Sequence, residues 1–177
     1  MLKKLFVPFL FLSLLSTAFA VDLKGRIGFG AGWTIPSPTE EYGYGLGLLS
    51  PTLVMTKIGL APRIAIEPTF QIMSVSNDEK ASAFILQGLF DYVLLEHEKT
   101  NIAPKVGFSF ATASEGGSTI LSGFGIPLGI GLEHWISEHF AIDLTTMSGF
   151  FSQSEPYKAT TFSLGNGTLN LCLLWYY

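Results

Sequence analysis

Phe124-Gly125-Ile126-Pro127-Leu128-Gly129-Ile130-Gly131-Leu132-Glu133 alternates without a break. Phe124, Ile126, Leu128, Ile130 and Leu132 occupy one parity. Gly123, Gly125, Gly129, Gly131 and Glu133 occupy the other. Successive side chains of a strand point to opposite faces, so this spacing predicts a strand with one greasy face and one bare or polar face. The charge-free run 116–132 that contains it is nearly long enough for a membrane helix. Gly123, Gly125, Gly129, Gly131 and Pro127 rule that out, because both residue types break helices. The charge-free run 159–177 is excluded in the same way by Gly165, Asn166, Gly167 and Asn170.

The same period of two recurs on both sides. Val21, Leu23, Ile27, Phe29, Ala31 and Trp33 oppose Asp22, Lys24, Arg26 and three glycines. Tyr42, Tyr44, Leu46 and Leu48 oppose Gly43, Gly45 and Gly47. Ile64, Ile66, Phe70 and Ile72 oppose Arg63, Glu67, Thr69 and Gln71. Phe84, Leu86, Phe90 and Tyr92 oppose Gln87 and Asp91. Ile102, Val106, Phe108 and Phe110 oppose Lys105, Gly107 and Ser109. Phe140, Ile142 and Leu144 oppose Ala141, Asp143 and Thr145. Leu169, Leu171, Leu173, Trp175 and Tyr177 oppose Asn170, Cys172, Leu174 and Tyr176. With the opening stretch this makes eight segments, separated by turn-like stretches at 35–41, 74–80, 96–100, 113–118, 136–139 and 152–158. The join near 56–62 is the least defined. The spacing predicts an all-β, eight-stranded antiparallel up-and-down barrel.

Composition agrees. The chain has 177 residues, 48% of them hydrophobic and only 14% charged. Ordinary soluble domains are about a quarter charged, so part of this surface is built for a solvent other than water. Disorder is excluded by the high hydrophobicity, and one cysteine makes no internal disulfide. Lys3 and Lys4, an apolar run from Leu5 to Leu15 and Ala18-Phe19-Ala20 read as a secretory signal peptide, residues 1–20, cleaved after Ala20. Residues 21–177 then form one domain. It keeps eight basic residues against 14 acidic ones, which gives no reason to expect nucleic acid as a partner.

A soluble barrel hides its apolar row, whereas a membrane barrel turns it to lipid. Here the polar row is mostly glycine and alanine, which suits a crowded lumen better than a wet surface. The apolar row ends in aromatics suited to membrane interfaces: Trp33, Tyr42, Tyr92, Trp175 and Tyr177. Arg26, Arg63, Glu67, Asp91, Lys105, Glu133 and Asp143 all share the lumen parity. They are expected to pair as a plug, or alternatively to line a narrow ion path. On the plug reading, Glu67→Ala strands a buried base and lowers thermal stability. Pro51, Pro68, Pro104 and Pro127 fall in or beside strands, where each is expected at a bulge or strand end. Phe162 and Leu164 have the wrong parity for the last strand, which implies a bulge or loop end.

With a signal peptide, eight amphipathic segments and an aromatic C-terminus, the chain resembles the small outer-membrane β-barrel proteins of Gram-negative bacteria, such as outer-membrane protein X and the membrane domain of outer-membrane protein A. The segment Leu169-x-Leu171-x-Leu173-x-Trp175-x-Tyr177 is similar to the C-terminal signal read by the barrel-assembly machinery. Residues 133–142 resemble a tight periplasmic turn. The resemblance implies export by the general secretory route, insertion by that machinery, and a monomer among outer-membrane lipids and lipopolysaccharide. It implies a transmembrane barrel with a structural or surface-interaction role, no enzyme activity and no cofactor. Three alternatives remain: a small passive pore, a lipid-A-modifying barrel enzyme, and a secreted soluble barrel for an apolar ligand.

The candidate chemistry is thin. His134, Ser137 and His139, with Glu133 and Glu138 beside them, could supply a nucleophile and base, but they read better as a polar turn. The two histidines lack a third metal ligand. Gly43-x-Gly45-x-Gly47 precedes no helix and so is no phosphate loop. Asn166-Gly167-Thr168 matches a glycosylation acceptor that has no meaning in a bacterial barrel. Cys172 falls on the lumen parity as a small inert residue.

Overall fold

The computed structural model describes residues 21–35, 52–76, 80–155, 158–163 and 169–177. Its strands are β1 Ile27–Ile35, β2 Leu53–Ala61, β3 Ile64–Ser76, β4 Lys80–Tyr92, β5 Leu95–His97, β6 Thr100–Glu115, β7 Ser118–Trp135, β8 Phe140–Glu155, β9 Ala159–Ser163 and β10 Leu169–Tyr176. Every pairing is antiparallel, and β10 pairs with both β8 and β1, so the sheet closes on itself. The closed circuit has eight strands. β5 continues the pairing along β6 beyond the end of β4, and β9 precedes β10 along β8. Among the described residues no helix is long and apolar enough to cross a membrane.

The alternation predicts most strands and misses one. The second strand of the described circuit is Leu53–Ala61, which the alternation does not mark; Tyr42–Leu48 lies outside the described residues. The ill-defined join at 56–62 is therefore mostly strand, and the β2–β3 turn shrinks to Pro62–Arg63. The turn expected at 113–118 shrinks to Gly116 and Gly117, since Glu115 faces Ser118 across it. Both glycines have positive φ (57° and 84°), the requirement of a two-residue type I′ hairpin.

Pro68, Pro104 and Pro127 sit at neither a bulge nor the end of their own strands. Pro68 sits mid-strand opposite Gly88 in a continuous β3–β4 register. Its missing donor falls in a gap of the β2–β3 ladder, where pairing skips from Met55–Thr69 to Ile58–Ile66. Pro127 lies opposite a similar gap on β6, between Val106 and Ser109. Pro104 sits where pairing passes from β4 to β5. Pro51 lies outside the described residues. The parity flip before the last strand has a register cause. Ser163 faces Gly149 and Leu169 faces Thr146, so six steps along one strand match three along the other. An odd excess of three reverses the faces; Leu164 itself lies outside the described residues.

The faces are inverted relative to a soluble domain. Phe108 is 76% and Phe124 69% exposed, and the outward rows add Val54, Ile72, Leu86, Ile126, Ile130 and Leu173. Apart from Lys80 at the loop end of β4, no outward strand position among the described residues between Ile27 and Tyr176 carries an acid, lysine or arginine. The buried set includes Lys57, Glu67, Asp91, Lys105, Glu133 and Asp143. One end, termed the base, holds the start of β1, the end of β10 and the β2–β3 and β7–β8 turns. Residues before β1 close it. Leu23 is buried, its N–H donates to Pro62 O at 3.3 Å, and Gly25 N–H donates to Gly59 O at 2.9 Å.

Candidate functional site: a charged disc across the lumen

Six of the eight wall strands each send one ionisable side chain to the same level of the lumen: Lys57 (β2), Glu67 (β3), Asp91 (β4), Lys105 (β6), Glu133 (β7) and Asp143 (β8). Lys57 Nζ lies 3.1 Å from Asp91, 3.5 Å from Glu133, 3.6 Å from Asp143 and 3.7 Å from Glu67. Lys105 Nζ lies 2.8 Å from Glu67, 3.2 Å from Asp143 and 3.6 Å from Asp91. Two ammonium groups thus hold four carboxylates in a disc that spans the barrel.

Uncharged donors complete it. The Thr145 hydroxyl donates to Asp143 Oδ1 at 2.5 Å. The Tyr176 hydroxyl donates to Glu133 Oε1, and its ring packs on Trp135 at 4.3 Å. Glycine lets these side chains lie flat. A Cβ on Gly28 would stand 2.7 Å from the Tyr176 ring, and one on Gly131 would collide with the Lys105 stem. Below the disc are Leu23, Val93, Trp135 and Ala141; above it are Leu53, Met55, Leu89, Met147 and Cys172.

Of the seven charges assigned to the lumen by parity, the structure brings together Glu67, Asp91, Lys105, Glu133 and Asp143. Arg26 and Arg63 stand apart at the base. Arg26 precedes β1, donates to the Glu138 carbonyl at 2.7 Å and lies 5.1 Å above the Trp135 ring. Arg63 is in the β2–β3 turn and pairs with Glu96 at 3.0 Å, half exposed. Parity reports the face of a residue and not its depth, and both arginines lie beyond the strands. Lys57, which touches all four carboxylates, is the residue that the parity argument omits. A signal for it exists: Lys57 shares parity with Gly59 and opposes Val54, Ile58 and Leu60.

The interface aromatics divide between the ends. Tyr92, Trp175 and Tyr177 lie exposed at the base, with the His139 ring stacked 6.0 Å from Trp175. Trp33, paired with Leu171, lies further up the wall; Tyr42 lies outside the described residues. The outward row Leu169, Leu171, Leu173 and Trp175 belongs to the strand that closes the barrel, and Tyr177 follows its end.

The turn histidines do not assemble a hydrolytic pair. His134 Nδ1 is 2.9 Å from Thr100 Oγ1, and His139 Nδ1 is 3.1 Å from the Tyr176 carbonyl. The Ser137 hydroxyl accepts from the backbone N–H of His139 at 3.4 Å. Glu133 points into the disc instead. Among the described residues no group of three or more His, Cys, Asp or Glu is placed to hold a metal ion.

An eight-stranded closed barrel with this polarity has the fold of small outer-membrane proteins. It is similar to Ail, the attachment invasion locus protein of Yersinia pestis, with TM-score 0.54 and 16% identity over 87% of this chain and 99% of that one. It is similar to Neisserial surface protein A, with TM-score 0.56 and 9% identity over 85% and 94% of the two chains. OprG of Pseudomonas aeruginosa gives TM-score 0.54 and 11% identity over 91% and 99%. No family model and no curated protein matches the sequence.

Proposed function

We propose that the protein is an integral outer-membrane barrel with a structural or surface-interaction role. The inverted polarity carries this reading. An outer wall of Phe, Leu, Ile and Val around a charged interior suits lipid outside and not water. Monomeric soluble proteins rarely expose an apolar patch beyond a few hundred Å². A strand of about 9–11 residues crosses the hydrocarbon core. β6, β7 and β8 have 16 to 18 residues, so they extend past it. On this reading the base faces the periplasm, and the aromatics there sit at that interface.

Export through the general secretory route, insertion by the barrel-assembly machinery and a monomeric state among lipid and lipopolysaccharide complete the proposal. The aromatic last strand supports the insertion route. The names of two structural relatives, an attachment invasion locus protein and a surface protein, support a surface role. The disc weighs against a passive pore, since an ion would have to displace side chains held from six strands. It also leaves no cavity for an apolar ligand at that level.

The test is to fractionate expressing cells and run the membrane fraction on a gel, unheated and boiled. A folded membrane barrel resists detergent until heated, so a mobility shift confined to the outer-membrane fraction is expected. A soluble periplasmic band without a shift overturns the reading.

A further inference from the structure

Immediately above the disc is a small enclosed cavity, with about 10 Å³ of room for the centre of a water-sized body. That is close to the minimum for one guest. Its polar lining comes from Glu67, Thr69, Gln87, Asp143, Thr145 and Asn170, on four strands. Two of these groups are unspent. The Thr69 hydroxyl oxygen and Asn170 Oδ1 are buried and have no hydrogen-bond partner among the described residues. Thr145 gives its proton to Asp143, which leaves its oxygen lone pairs free to face the cavity. The lining is therefore rich in oxygen acceptors. The floor is the disc, where four carboxylates meet only two ammonium groups.

We propose that this cavity is a binding site for one small monovalent cation, sodium-sized, held by Thr69 Oγ1, Asn170 Oδ1 and the carboxylates of Glu67 and Asp143. Hard cations take oxygen ligands, and the free acceptors here are oxygens. The size of the cavity excludes a hydrated ion. The charge shortfall below it favours a cation over water, because an uncompensated carboxylate in a low-dielectric interior is costly. A divalent ion is disfavoured by the two ammonium groups that share the same carboxylates and by the presence of only two acids in the lining. The site would tie β3, β8 and β10 together just above the disc, so its occupancy would be read as barrel stability.

The test uses the detergent-folded barrel, residues 21–177, melted at fixed scan rate and ionic strength while sodium replaces choline. Sodium should raise the melting temperature logarithmically, by about 3–5 °C per tenfold increase once well above half-saturation. Caesium, too large for the cavity, should act like choline. Thr69→Val keeps the shape and removes the oxygen, and Asn170→Leu removes the second ligand. Each should fold and lose the sodium response. Sodium NMR line broadening by the wild type, relieved by Asn170→Leu, reads binding without melting. Identical melts in sodium and choline would mean that water alone fills the cavity. A sodium response kept in both variants would place the ion elsewhere. A melt that follows pH and ignores sodium would mean that protons offset the disc. Each of these three results overturns the proposal.

Discussion

Two lysines hold four carboxylates in the lumen, and that imbalance decides which substitutions hurt. Removing one partner of a buried ion pair costs about 3–5 kcal/mol when a charge is left unpaired. Glu67→Ala leaves no such base: Lys105 keeps Asp143 at 3.2 Å and Asp91 at 3.6 Å, and Lys57 keeps three acids. Removing a lysine leaves four acids around one ammonium. Lys57→Met and Lys105→Met should therefore each lower the melting temperature by on the order of 10 °C. Glu67→Gln should cost clearly less. Thermal melts of the three variants check this, and a Glu67→Gln loss equal to the lysine losses would show that individual pairs matter more than the balance. Five of the disc's six charges were legible from alternation alone. Lys57 was not, because its own row also carries Leu53 and Met55, so the contrast with Val54, Ile58 and Leu60 shows only in the lower half of β2, at Lys57 and Gly59. Arg26 and Arg63 were assigned too deep because period two gives direction and no height.

At the scale of the element, the barrel closes where β1 meets β10, and the sequence prepares that seam with glycine. Gly28, Gly30 and Gly32 stand opposite Tyr176, Leu174 and Cys172. An added Cβ at Gly28 would press on the Tyr176 ring, and one at Gly30 would meet Leu174 Cδ2 at 2.8 Å. The missing side chains on β1 are thus the room that β10 fills, and Tyr176 crosses it to reach Glu133. Gly28→Ala should push the ring away, break that hydrogen bond and destabilise by about 1–3 kcal/mol. Gly88→Ala is the control: it faces outward with nothing within 4 Å of the added carbon, so a change within about 0.5 kcal/mol is expected. Equal effects in denaturant titrations would mean that backbone propensity, and not the seam, sets the cost. The glycine row was visible in the sequence, but its use was not, because pairing between the first and last strands is the contact most remote along the chain. The strand at Leu53–Ala61 was missed for a local reason. Its two faces differ little in polarity, whereas the Tyr42–Leu48 stretch alternates aromatic and glycine and draws the assignment to itself.

For the whole molecule the question is which solvent meets the outer wall, and one substitution separates the two answers. Ile126 lies near the middle of the longest strand, β7, and faces outward at 46% exposure. If the wall faces lipid, an arginine there must sit near the bilayer midplane, at a cost of about 2–4 kcal/mol. If the wall faces water, the same arginine replaces an exposed isoleucine and should change stability by no more than about 0.5 kcal/mol. Folding of Ile126→Arg into lipid vesicles, followed by denaturant titration, measures the difference directly. Ser122, four residues nearer the loop end of β7, is half-buried, so an arginine there would not replace an exposed apolar side chain. The matched control is therefore Ile120→Arg, exposed beside the β6–β7 turn, where the depth-dependent cost falls to about 0–1 kcal/mol. A large penalty at Ile126 and a small one at Ile120 is the depth profile that only a bilayer imposes. Equal and small penalties would mean that the apolar wall is covered by something other than lipid, and the exposed Phe108 and Phe124 would then have to be explained by protein contacts.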